Sequence, residues 1–195
     1  MHPYLQSLII DVPDFPKPGI VFKDFTPLLA DGRGLSLAVE LMANPFRGQG
    51  VDMVIGAESR GFIFGIAVAQ ALSVGFVPVR KAGKLPRAVK RVEYALEYGT
   101  DRLEVHADAL AKAKRILIVD DLLATGGTLE ACIQLVSQTA KVEIVGISVL
   151  PLVFEFIKHR KAAVALSEGI VQRHGDLPPN LESVSIRMGC RRSRS

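Results

Sequence analysis

The apolar and polar positions of this chain repeat one pattern: a short apolar run, a polar loop, then a stretch with helical spacing. Val51 to Ala57 is short and nearly all apolar, which predicts a strand buried on both faces. Glu58-Ser59-Arg60-Gly61 interrupts it, and Phe62 to Leu72 follows as an apolar helix. Ile116 to Val119 is a second such run, stopped by Asp120-Asp121. Beyond a glycine turn, Leu129, Cys132, Ile133 and Val136 fall at the i, i+3, i+4, i+7 positions of an amphipathic helix. Val74 to Val79, ended by Pro78, and Val142 to Val149 predict two more strands. Leu35 to Met42 reads as a helix that Gly48 to Gly50 closes, and residues 1–10 as a short helix. Strands alternating with helices specify an α/β fold with a twisted, mainly parallel sheet covered on both faces.

Two segments break the rhythm. Asp11 to Gly19 carries Pro13, Pro16 and Pro18, which exclude helix and central strand and predict an ordered loop or linker. Leu85 to Asp101 has no helical period and reads as a long mobile loop, with Val92 to Leu96 and Leu103 to His106 as a hairpin. His106, alternating with apolar neighbours, reads as structural.

Composition narrows the class. With 195 residues, 49% of them hydrophobic, the chain supports one sizeable core and a single domain, set here at 1–180. The net charge of +4 would suggest nucleic acid, but Arg187, Arg191, Arg192 and Arg194 lie within the last nine residues. Without them the remaining 20 basic residues balance 20 acidic ones, so residues 181–195 read as a basic, poorly ordered tail rather than a nucleic-acid arm. Two cysteines, Cys132 and Cys190, make no disulfide framework, and no apolar stretch approaches membrane-spanning length. The expected protein is cytoplasmic, without membrane or nucleic-acid partners.

The chemistry concentrates where the second strand ends. Unpaired N–H groups and the positive end of a helix favour an anion such as phosphate. Ala124, Thr125, Gly126, Gly127 and Thr128 supply a turn that can curl around one, with Thr128 as the expected N-cap. Asp120 and Asp121 sit beside it and suit ribose hydroxyls, which are donors, so the loop reads as a ribose 5-phosphate cradle. No Lys-Ser or Lys-Thr follows the glycines, and Gly-x-Gly-x-x-Gly is absent, so neither a P-loop nor a dinucleotide fingerprint applies.

Val119 to Thr128 resembles the phosphoribosyl pyrophosphate (PRPP) motif of the type I phosphoribosyltransferases, and other segments are similar to the adenine-specific members. Gly56-Ala57-Glu58-Ser59-Arg60-Gly61-Phe62 matches a loop that contacts pyrophosphate in that family, and Arg80-Lys81-Ala82-Gly83-Lys84-Leu85-Pro86 matches one whose cations assist it. Phe15 to Asp24 resembles the N-terminal hood over the purine, which puts Val21, Phe22 and Lys23 at the base; many members carry Arg in place of Lys23. Tyr94-Ala95-Leu96-Glu97-Tyr98-Gly99 resembles the lid, with Glu97 as the proton-handling group and Tyr98 beside it. The resemblance runs from about Asp11 to Leu150; the Glu-Leu and Gly-Arg signature that many members carry next is not found in Pro151 to Ser195.

The resemblance implies the type I fold with a hood (1–34) and a hairpin lid (84–106), a homodimer, and transfer of the phosphoribosyl group of PRPP to adenine. Catalysis would fall to Glu97, Asp120 and Asp121; the 5-phosphate and ribose to Asp120, Asp121 and Ala124 to Thr128; pyrophosphate to Glu58, Ser59, Arg60, Lys81 and Lys84. Mg²⁺ would arrive on PRPP, with no dedicated protein cage. The alternatives are a PRPP- or purine-sensing regulator of the same fold and an enzyme for xanthine or hypoxanthine.

Overall fold

The computed structural model describes residues 2–95, 100–122 and 126–150. Its centre is a six-stranded sheet in the order β5-β6-β4-β3-β7-β8. The strands are β3 (Met53–Ala57), β4 (Gly75–Lys81), β5 (Val89–Ala95), β6 (Thr100–His106), β7 (Arg115–Asp120) and β8 (Glu143–Val149). The pairs β3–β4, β3–β7 and β7–β8 are parallel, while β6 joins β4 and β5 antiparallel. The mainly parallel sheet expected from the sequence is therefore present.

Period-two alternation sorts the strand residues onto two cores. Ile55, Ile116 and Ile118 face α5 (Gly127–Thr139) together with its Leu129, Cys132, Ile133 and Val136. Val54, Leu117 and Val119 face the other way, onto a core that includes Leu28 of α2 (Thr26–Ala30), Met42 of α3 (Gly32–Ala43) and Phe64 of α4 (Arg60–Leu72). Each such side chain contributes roughly 1.5–3 kcal/mol by leaving water, enough to fix which way every strand faces.

Several boundaries differ from those read in the sequence. Pro78 does not end β4, because β6 joins only at Arg80 and Lys81 and leaves that side of the strand open beside the proline. The proline-rich segment is not a plain loop: after α1 (Pro3–Gln6), β1 (Ile10–Pro13) pairs with β2 (Val21–Asp24) as a two-stranded ribbon. Pro13 is tolerated at its end, and the turn is tied by Phe15 N–H to Ile20 O (3.2 Å) and Gly19 N–H to Asp14 Oδ1 (2.7 Å). Helix α3 ends at Ala43, ahead of Pro45 and before Gly48. The expected hairpin is present and its described strands are longer than read, pairing at seven positions from Val89–His106 to Ala95–Thr100. Cys132 is a buried free thiol, and among the described residues no helix is long and apolar enough to cross a membrane.

Candidate active site

The parallel strands β3 and β7 are neighbours, yet the helices that follow them leave for opposite faces: α4 packs in the Phe64 core and α5 in the Leu129 core. Their loops diverge and open a crevice at the strands' carboxyl ends, where open α/β sheets bind ligands. Glu58, Ser59 and Arg60 line one wall, and Asp120, Asp121, Leu122, Gly126, Gly127 and Thr128 the other.

Both helices present their starts to this cleft. Ser59 caps α4 and Gly126 caps α5, and neither cap makes a side-chain hydrogen bond to its helix, so the first N–H groups stay available to an anion. The α5 cap is Gly126 rather than the expected Thr128. Its φ of 86° suits glycine, and Thr128 stands one residue inside the helix after Gly127. Glycines also set the walls' spacing. A Cβ on Gly61 would lie 2.9 Å from Asp120 Oδ1 and 3.2 Å from Val119 O, so only glycine lets α4 start this close to β7.

Asp120 and Asp121 are buried, at 7% and 5% exposure. Desolvation, followed by repulsion from Asp121, pushes Asp120 up to about 7. Desolvation also raises Asp121, against the pull of Arg60, whose Nε lies 3.1 Å from Asp121 Oδ2. Arg60 thus spans the cleft, and its guanidinium stands 6.0 Å from the Phe22 ring centroid, which brings the β1–β2 ribbon to the same site.

An acid raised this way favours its protonated form in the fold. Between about pH 4 and about pH 7 the folded state keeps a proton that the unfolded chain has lost, so stability falls as pH rises through that window. Carboxyls held below their usual range, such as Asp101, lose their contribution only below about pH 4 and do not mask it. The melting temperature of the ligand-free protein should therefore drop by roughly 5 °C or more from about pH 5 to about pH 8. Asp120→Asn should flatten that drop, as thermal scans across pH would show.

Not every expected site residue lies on this cleft. Glu58 lines it, but its carboxylate accepts hydrogen bonds from Arg80 Nε (3.2 Å) and the Lys81 N–H (3.1 Å). Burial pushes Glu58 up, and these bonds outweigh it, leaving the group below its usual range. Lys81 points to the hairpin, with Nζ 3.2 Å from Asp101 Oδ2; neither Lys81 nor Lys84 is among the residues lining the cleft. Val21 is half exposed, Phe22 meets Phe15 edge-on at 5.3 Å, and Lys23 Nζ lies 2.6 Å from Asp11 across the ribbon. Glu97, Tyr98, Ala124 and Thr125 lie outside the described residues.

The structure adds Arg80, Tyr94 and Asp101. Tyr94 of β5 packs, partly buried, against the core that α5 shares with the sheet, so the hairpin lies against that helix. Each stands within or beside a quoted motif, but only the register of β4, β5 and β6 brings them together.

The family model described as a phosphoribosyl transferase domain matches residues 28–162, a span that holds both walls of this crevice, so the chain is by class a phosphoribosyltransferase. The chain is 59% identical over 142 residues to an adenine phosphoribosyltransferase of Xanthomonas campestris, spanning 73% of this chain and 76% of that one. It is 54% identical over 138 residues to that of Francisella philomiragia, spanning 70% and 79%. A solved adenine phosphoribosyltransferase from Rhodothermus marinus superposes with a TM-score of 0.70 at 50% identity, over 75% of this chain and 83% of that one. The Saccharomyces cerevisiae enzyme, solved with adenine and an imino-altritol bisphosphate, gives 0.72 at 37% identity over 83% and 95%. The chain belongs to the adenine phosphoribosyltransferase family, and its sheet is the type I phosphoribosyltransferase fold.

Proposed function

We propose that this enzyme transfers the 5-phosphoribosyl group of PRPP to adenine, forming AMP and pyrophosphate, as in purine salvage. The observation that carries it is the cleft itself, where anion-binding helix starts and Arg60 face the buried Asp120–Asp121 pair within a few ångströms. In the reaction the bond from ribose C1 to pyrophosphate breaks, N9 of adenine bonds to C1, and N9 gives up its proton.

The residues divide the work by charge. The start of α5, Gly126, Gly127 and Thr128, with Ala124 and Thr125, holds the 5-phosphate. Asp120 and Asp121 accept from the ribose hydroxyls and stabilise positive charge developing on the ring. Ser59 and Arg60 take the diphosphate, with Lys81 and Lys84 reaching it from the β4 turn. Glu58 acts through Arg80 and the Lys81 backbone and does not itself meet the anion. Val21 and Phe22 cover the base, while the Asp11 pairing of Lys23 leaves packing and backbone atoms to recognise it. Glu97, beside Tyr98, takes the N9 proton, and the 84–106 hairpin closes over the substrate.

Mg²⁺ fits this donor set. Asp120 and Asp121 are adjacent hard-oxygen donors, and the raised Asp120 is eased by a nearby cation. The ion would be carried by the diphosphate and would neutralise its charge. We further infer a homodimer working in the cytoplasm, with residues 1–180 as one domain and 181–195 as a basic tail.

The decisive assay supplies PRPP, Mg²⁺ and, separately, adenine, hypoxanthine, guanine, xanthine and orotate, and follows pyrophosphate release. Release with adenine is expected; release with another purine instead reassigns the base, and no release with any of the five favours a sensor. Glu97→Gln should lower kcat about 100-fold with little change in PRPP affinity. An unchanged rate rules Glu97 out as the base.

A further inference from the structure

We infer that Glu104 is a positioning residue that sets the diphosphate-facing turn Lys81–Lys84 before substrate arrives, an inference that rests on Lys81 and Lys84 serving the diphosphate. Among the described residues only Glu104, Asp120 and Asp121 are buried acids, and Glu104 is the most enclosed, at 3% exposure. A carboxylate there is costly unless hydrogen-bonded. Its two oxygens have separate partners: Oε2 accepts from the Gly83 N–H at 3.0 Å, and Oε1 lies 3.2 Å from Arg91 Nη2.

The register places it for this task. Glu104 of β6 is opposite Arg80 on one side and Arg91 on the other, just where β4 runs into the turn. The Lys84 N–H returns to Lys81 O at 3.3 Å, with Gly83 at the third position and φ of 77°, as a type II turn requires. Every backbone N–H in the turn has a partner: Lys81 has Glu58, Ala82 has Arg102 O, Gly83 has Glu104 and Lys84 has Lys81 O. The turn therefore offers an anion the Lys84 ammonium rather than its backbone, Lys81 being paired with Asp101 until the anion arrives. Three of the four anchors are rigid strand atoms or the turn itself, or belong to the cleft wall at Glu58. Glu104 is the anchor supplied by a side chain of the hairpin, so the direction of Lys84 depends on a strand about 20 residues away in sequence.

The experiment compares two substitutions. Glu104→Met removes the acceptor for Gly83 and should raise KM for PRPP about 10-fold, with KM for adenine unchanged. Glu104→Gln keeps an acceptor of the same length and should restore KM for PRPP to within about 3-fold of the original. Equal KM for PRPP in Glu104→Met and the unaltered enzyme overturns the inference, as does a parallel rise in both KM values. Should Glu104→Met fail to fold, amide exchange in the unaltered protein decides: the Gly83 N–H should be protected without ligand, and exchange at open-loop rates overturns the inference. Lys84→Ala separates this inference from its premise. Unchanged PRPP affinity in that variant removes the lysine role, whereas a loss there beside an unaffected Glu104→Met removes only the positioning role.

Discussion

Replacing Asp120 and Asp121 together by alanine should lower phosphoribosyl transfer by at least about 10³-fold while leaving the protein folded. The two carboxylates are the acceptors that face the cleft from the end of β7, and no other described acid lines it except Glu58, which is engaged by Arg80 and Lys81. Losing them removes the groups that orient the ribose and that meet positive charge as the bond to pyrophosphate breaks. Arg60 loses its partner too, but its side chain is 43% exposed and water can replace the contact. The fold should not suffer. Both acids are raised by desolvation, which means that holding them charged in this place works against stability at neutral pH. The double variant should therefore melt at or above the temperature of the unaltered enzyme near pH 7, as active sites assembled at a cost in stability do when dismantled. Pyrophosphate release and a thermal melt on the same preparation read both effects. Near-normal turnover would sink the ribose assignment, and a collapsed melt would show the pair to be structural.

What the sequence made legible follows from which physical signals are local. Buried strands and amphipathic helices announce themselves by period, so β3, β7, α4 and α5 stand close to where the apolar runs place them. The polar residues at their junctions were visible for the same reason, since a charge directly after a buried strand must lie at its open end. Hidden were the features made by pairing across distance. The β1–β2 ribbon was masked by three prolines, whose backbone limits say nothing of whether a strand is an edge. Pro78 stays within β4 because of where β6 begins, a fact of register. The Lys81–Asp101 pair and the Glu104 anchor connect β4 to β6 over about 20 residues, and neither residue type nor spacing predicts them. A capping threonine was expected at α5, but Gly126 stands at the cap with a left-handed φ of 86°, a conformation that glycine adopts without strain and threonine does not.

Gly56→Ala should be the most damaging single-methyl change beside the cleft, though Gly56 is not among the residues lining it. Its Cβ would lie 2.6 Å from Gly61 O, 3.1 Å from Gly61 C and 3.1 Å from Phe76 Cε2. The first two are backbone atoms at the start of α4, and that backbone has little room on its other side, where even a Cβ on Gly61 would lie 2.9 Å from Asp120 Oδ1 and 3.2 Å from Val119 O. Three layers are thus in contact: β3, the first turn of α4, and the end of β7. Relief requires α4 to shift, which carries Ser59 and Arg60 away from Asp121. The overpacking should cost about 1–3 kcal/mol of stability, and a displacement of about 1 Å in the groups that hold the diphosphate should cost about 100-fold in kcat/KM. Gly32→Ala is the matched control: it adds the same methyl at the first turn of α3 with nothing within 4 Å, and should leave both melting temperature and turnover nearly unchanged. If Gly56→Ala behaves like Gly32→Ala, the start of α4 is not fixed by this contact. Loss in the Gly56 variant alone, with KM for PRPP rising more than KM for adenine, would tie the close approach of α4 to the diphosphate side of the site.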